Sequence, residues 1–142
     1  MKKTLSLILL ATVFCLSIFA EQPKHEFRAT WLATVSGIDW PKTKVSGNSA
    51  AEINTKREQQ KQELIDILDK MKAGNMNAAC LQVRSLCDAL YKSSYEPWAV
   101  CLTGTRGKNP GYDPLEFAIQ EAHKRGMELH VWVNPFRVAT GS

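Results

Sequence analysis

The chain has 142 residues, is 44% apolar and 23% charged, and carries a formal net charge of +4. That balance excludes a disordered tract or a fibrous repeat, and the length accommodates one domain. The charges are mixed in sign, with no basic block or aromatic-interleaved basic stripe, which argues against nucleic acid as a partner.

Lys2 and Lys3 precede an apolar run from Leu5 to Phe19, and Ala20 offers a small residue before Glu21. This pattern predicts a secretory signal peptide over residues 1–20, and so an exported protein of the periplasm, cell envelope or extracellular space. Membrane contact is expected only through that leader, if it stays uncleaved. Cys15 invites a lipoprotein reading, but Phe14 before it is too bulky for that cleavage signal. Residues 21–26 form a short polar linker.

Phe27 to Val35 reads as the first strand, rich in β-branched and aromatic residues. Ser36 to Pro41 follows as a loop. The first helix is expected from about Glu52 to Ala73. Its start is ambiguous, because Ser49–Glu52 and Thr55–Glu58 both fit a capping box. Leu64, Ile67, Leu68 and Met71 give its buried stripe, and Gly74-Asn75 its stop. Asn77 to Val83 is the second strand. A long aromatic loop leads to a second helix with Asp113 as cap, Pro114 in the first turn and Glu116 completing the box. Leu115, Ile119 and Ala122 are its expected apolar face. Met127 to Val133 is the third strand. Strands separated by helices imply parallel pairing, in a doubly wound sheet or in part of an eight-stranded barrel.

Side chains alternate across a strand. Leu129, Val131 and Val133 are expected under helices, with His130, Trp132 and Asn134 on the other face. In the second strand Ala79, Leu81 and Val83 oppose Cys80, Gln82 and Arg84. One face thus turns polar toward the strand C-termini, where α/β folds place ligands. A structural polar network holding loops is the alternative. The loop adds Asp88, Tyr91, Tyr95, Glu96 and Trp98, whose aromatic faces suit sugar rings or, alternatively, the core.

Gly104-Thr105-Arg106-Gly107-Lys108 does not match the P-loop spacing, and Asp113-Pro114 after it is poor for an anion. The histidines show no metal-ligand spacing. Cys80, Cys87 and Cys101 form no Cys-x-x-Cys pair. No metal and no cofactor is expected. Cys87 and Cys101 share the long loop and either pair in an oxidising compartment or stay thiols.

In order along the chain, Arg28–Val35, Ile38-Asp39-Trp40-Pro41, Leu81-Gln82-Val83-Arg84, Asp88–Tyr91, Glu96-Pro97-Trp98, Leu102-Thr103-Gly104, Pro110–Leu115, Glu121-Ala122-His123 and Trp132–Pro135 resemble the glycosyl-hydrolase-like 10 family. The chain departs at Ser85, where that family typically has proline, and at Gly37, where asparagine is common. The resemblance implies an α/β fold, with residues 27–142 as the N-terminal part (about three βα units) of a TIM (β/α)8 barrel. It also implies action on glycosidic bonds of a polysaccharide or oligosaccharide from the envelope or extracellular matrix. Arg28, Asp39, Gln82, Arg84, Asp88, Glu96, Trp98, His130, Trp132 and Asn134 are the expected substrate-binding residues. Glycoside hydrolysis usually needs two carboxyl groups, and nothing in the spacing of Asp39, Asp88 and Glu96 sets such a pair. The main catalytic carboxylates are expected beyond Ser142, which would leave this chain inactive alone. The rival reading is a carbohydrate-binding protein without catalysis. A nucleotide-binding doubly wound domain would need a glycine-rich turn leading from strand into helix, which is absent.

Overall fold

The computed structural model describes residues 26–138; the predicted leader and most of the linker lie outside them. The elements are β1 (Ala29–Leu32), a 3-10 turn (Val35–Gly37), α1 (Ala50–Ala73), β2 (Ala78–Arg84), α2 (Val100–Thr103), α3 (Pro114–Lys124) and β3 (Glu128–Val133). The three strands form one parallel sheet in the order β1-β2-β3. Consecutive parallel strands joined through helices are the arrangement of successive units in a (β/α)8 barrel.

β1 is shorter than its sequence suggests. Beyond Leu32 side chains replace the ladder: Ala33 N donates to Asp39 Oδ2 (2.7 Å), and Thr34 N and Val35 N donate to Gln82 Oε1 (3.0 and 2.9 Å). The register pairs Trp31 with Cys80 and Cys80 with His130, then Gln82 with Trp132. It breaks between Gln82 and Arg84, so that Arg84 stands opposite Val133. Such an irregularity re-aims the residues beyond it.

The core lies on one face of the sheet. Leu32, Ala79, Leu81 and Val83 meet Leu64, Leu68 and Met71 of α1 and Ala118 and Ala122 of α3. Each fully buried leucine contributes roughly 2 kcal/mol by the area it removes from water. Ser49 caps α1, its hydroxyl accepting from Glu52 N, which settles the ambiguous start in favour of the first box. Thr55 instead bonds back to Ala51 O inside the helix. Past the end of α1, Asn75 takes the left-handed conformation (φ 58°). Asp113 caps α3 as expected, accepting from Glu116 N at 3.0 Å, while its other oxygen holds Lys92 N.

Two expectations need correction. The buried face of α3 is Pro114, Ala118, Glu121 and Ala122, whereas Ile119 is on the exposed side. Two alanines allow close approach to the sheet, and Glu121 is tolerated because Lys124 and Arg125 neutralise it. On β3 only Leu129 joins the core; Val131 is 53% exposed and Val133 43%. β3 is an edge strand, and no described helix covers its outer half. The long loop contains α2 and a bridge between Ala89 and Trp98.

A buried amide organises the loops over α1. Gln60 Nε2 donates to Thr43 O and Leu102 O, and Gln60 Oε1 accepts from Tyr112 Oη at 2.6 Å. Burial pushes the Tyr112 phenol well above the ordinary tyrosine range, so it stays a donor. Trp40, fully buried, donates its indole N–H to Gln60 O.

Candidate functional site

The C-terminal end of β2 gathers the polar groups. Arg84 is the last residue of that strand, and its side chain lies 15% exposed beside that of Glu96, 20% exposed. Its Nε and Nη2 donate to Glu96 Oε1 at 2.6 and 2.5 Å, Nη1 donates to Asn134 O, and Nη2 reaches Cys87 Sγ at 3.1 Å. One guanidinium thus ties the loop after β2 to the turn after β3. The hydrogen bonds to Glu96, more than the opposing burial, hold it firmly charged, above the usual arginine range.

Asn134 completes the connection. Its backbone N–H donates to Arg84 O (3.0 Å), its side-chain Nδ2 to Ser85 O (3.3 Å), and its Oδ1 accepts from Trp132 Nε1 (2.8 Å). Trp132 in turn meets Trp31 edge to face, with centroids 5.1 Å apart. β1 and β3 are two strand spacings apart, about 10 Å, so these rings lean toward each other over β2. The sequence reading placed Trp31 in a strand without a role. Its alternation with Leu32 signals which face it takes: the one opposite the core.

Gln82 lies on that same face, in register with Trp132. It is fully buried. Its Oε1 accepts the N–H groups of Thr34 and Val35, and its backbone oxygen accepts Thr34 Oγ1 at 2.8 Å. Two backbone donors at one end of the amide fix that end as oxygen. The other end, Nε2, is buried and has no hydrogen-bond partner among the described residues.

The predicted carboxylates hold loops. Asp39 accepts Ala33 N. Asp88 is buried and closes its own turn, Oδ1 accepting from Ser85 N, Ser85 Oγ and Leu86 N at 3.3, 3.2 and 3.0 Å. Glu96 pairs with Arg84. Each of these carboxylates thus has one oxygen engaged in a loop contact, and Gln82 Nε2 is the buried side-chain donor without a partner among the described residues.

The remaining predicted residues separate. Arg28 precedes β1, at the opposite end of the sheet from Arg84, bonded to Asn75 O (2.7 Å) and Glu26 (3.0 Å). His130 sits mid-strand on the aromatic face, 2.8 Å from Glu128 Oε2 and edge-on to Phe27 at 5.0 Å. Trp98 packs against the core with Tyr91, and its carbonyl accepts Gly107 N, so it pins the loop. Tyr95, by contrast, is 97% exposed.

Cys80, Cys87 and Cys101 are all free thiols. Burial pushes the Cys101 thiol up to about 12 and that of Cys80 upward. A separate cavity of about 250 Å³ lies between the loop after β1 and α2, lined by Ser36, Gly37, Pro41, Lys42, Lys44, Val100 and Cys101. None of the predicted site residues lines it.

Comparison with known proteins gives this geometry a context. A sequence model described as Glycosyl hydrolase-like 10 matches residues 26–141. Glycosyl hydrolase YngK of Bacillus subtilis (strain 168) is 48% identical over 117 residues, which cover 82% of this chain and 21% of that protein. Glycosyl hydrolase DigH of Escherichia coli (strain K12) is 42% identical over 122 residues, covering 86% of this chain and 27% of that protein. The chain thus spans about a fifth to a quarter of the length of these curated relatives. It belongs to the glycosyl hydrolase-like 10 family.

Proposed function

We propose that the chain is the N-terminal, substrate-positioning part of an exported glycoside hydrolase-like protein acting on glycosidic bonds of an envelope or extracellular polysaccharide. Membership of the family and the names of the relatives support a glycosidase-like activity with a carbohydrate substrate. The observation that carries the reading is Arg84. It stands at the C-terminal end of the central strand, cross-linked by Glu96 and Asn134 from two different loops. Parallel α/β barrels place their chemistry at that end. A fixed guanidinium with Asn134 and a nearby indole suits sugar hydroxyls and the C–H faces of a ring.

On this reading the catalytic carboxylates are not Asp39, Asp88 or Glu96, each of which already holds a loop. The test uses the protein as its locus encodes it, with release of reducing ends from a cell-envelope glycan as the readout. Arg84→Met is expected to raise KM at least tenfold, with Arg84→Lys recovering part of the loss; an unchanged KM would contradict the role.

The commitment of all three carboxylates also favours a second reading, a carbohydrate-binding protein without catalysis. It predicts saturable glycan binding with no reducing ends released by the locus-encoded protein.

A further inference from the structure

The cavity of about 250 Å³ between the loop after β1 and α2 shares no lining residue with the Arg84 cluster. Both of its walls follow strand C-termini, so it lies at the same end of the sheet as Arg84. The backbone sets its two cations. Lys42 N, Thr43 N and Thr43 Oγ1 donate to Glu63 of α1 at 2.9, 2.9 and 2.5 Å, and Val45 N donates to Leu102 O of α2 at 2.8 Å. The segment is thus fastened to α1 and to α2. Thr43 turns to Glu63, while Lys42 and Lys44 on either side of it both line the cavity. Lys42 Nζ donates to Ile38 O, which leaves two of its three N–H groups. Neither lysine forms an ion pair among the described residues. No acidic residue lines the cavity, and burial keeps the Cys101 thiol in its wall protonated.

The volume lies below the roughly 300–1,000 Å³ of pockets that enclose drug-sized ligands, and it suits a single sugar ring. Pro41 and Val100 give apolar wall beside the ammonium groups. The backbone offers little cradle for a phosphate. Such sites use successive free N–H groups, whereas Gly37 N and Ile38 N already donate to Thr34 O and Val35 O. We propose that this cavity is a subsite for a carboxylate-bearing sugar, with Lys42 and Lys44 pairing with the carboxylate and Pro41 and Val100 meeting the C–H face of the ring. The proposal rests on the carbohydrate reading and adds to it that the glycan is acidic.

The experiment titrates the 142-residue chain with D-glucuronate, D-glucose and inorganic phosphate, read by calorimetry and by the amide signals of the chain in NMR. The expected result is saturable glucuronate binding that shifts the amides of Lys42, Lys44, Val100 and Cys101. Glucose and phosphate are each expected to bind at least tenfold more weakly, and salt at about 0.5 M to weaken glucuronate severalfold. Lys42→Gln combined with Lys44→Gln is expected to lower glucuronate affinity at least tenfold. Gly37→Asn is the second variant, since it adds bulk to the lining and removes no charge. Asparagine adopts the left-handed backbone of Gly37 (φ 66°) more readily than most residues, and a Cβ there meets nothing within 4 Å. It is expected to weaken glucuronate at least fivefold. Circular dichroism shows whether each variant folds, and if the lysine pair does not, Gly37→Asn carries the test.

No saturable binding of glucuronate, equal binding of glucose, or tighter binding of phosphate would overturn the proposal. So would glucuronate binding unchanged in the folded variants. None of these readouts involves hydrolysis. Glucuronate bound at this cavity, with no reducing ends released by the locus-encoded protein, upholds the subsite and counts against the glycosidase reading. Reducing ends released without glucuronate binding do the reverse.

Discussion

The two ends of the sheet are both polar, and they differ in what their polar groups leave over. At the N-terminal end Arg28 holds Asn75 and Glu26, Asn77 Oδ1 accepts Arg28 N at 2.8 Å, and Arg125 joins Glu121 to Asp69. Each of these contacts closes one element onto the next, in pairs partly open to water. At the C-terminal end Gln82 and Arg84 also close elements together, but Gln82 keeps a buried donor without a partner among the described residues. A polar residue at a strand end is therefore not by itself a sign of a site. What separates the ends is whether donors and acceptors balance, and that depends on partners tens of residues away.

Substitutions at the two ends sharpen this contrast. The largest effect is expected from Gln82→Met, which keeps the volume and leaves Thr34 N and Val35 N without an acceptor. Unmet donors of this kind cost on the order of 1–3 kcal/mol each, so urea denaturation is expected to lose about 2–3 kcal/mol. Arg84→Met comes next. It strands Glu96 and frees the turn at Asn134, and hydrogen exchange is expected to rise across residues 84–98 while α1 is unaffected. At the other end Asn77→Ala is expected to cost about 1 kcal/mol, the net value of an ordinary hydrogen bond. Arg28→Met is expected to cost less than about 1 kcal/mol, because its ion pair is largely exposed. Equal losses for Gln82→Met and Asn77→Ala would break the distinction between the ends.

The smallest effect expected is one of pH. Hydrogen bonds from Lys124 and then Arg125 hold the Glu121 carboxyl below the ordinary glutamate range, against the opposing effect of burial. The folded chain thus binds this proton less readily than the unfolded one. The stabilisation is complete above the unfolded glutamate value of about 4.3 and is lost as pH falls through the lower folded value. Glu121→Gln is expected to flatten the acid limb of stability in that window and to leave the slope above it unchanged.

The backbone was largely legible in the amino-acid sequence, because its signals are local. Asp113-Pro114 and Glu116 start α3, the Leu64–Met71 stripe aims α1, and the β2 alternation assigns Leu81 and Gln82 to opposite faces. Where the reading went astray, the determinant was distant. β1 stops early because Gln82, 47 residues from Val35, takes over its N–H groups. Gln60 looks like a solvated helix residue until Tyr112 and Leu102 meet it. Ile119 looked like core because an apolar count ignores that Ala118 and Ala122 permit closer packing. Within the site, Arg84, Gln82, Trp132 and Asn134 do converge. Asp39, Asp88 and Glu96 were legible as strand-end carboxylates, but not as groups already engaged by the loops they close. Arg28 was separable from sequence, since it stands at the start of its strand while Gln82, Arg84 and Trp132 stand toward the ends of theirs.

The most direct test of the central claim is turnover by this chain alone. The purified chain, folded by circular dichroism, is incubated with a cell-envelope glycan and assayed for new reducing ends. The expected result is none above the rate without protein, because Asp39, Asp88 and Glu96 are held in loops. Sustained release of reducing ends by the chain alone, abolished by Glu96→Gln, would contradict it and make Glu96 catalytic.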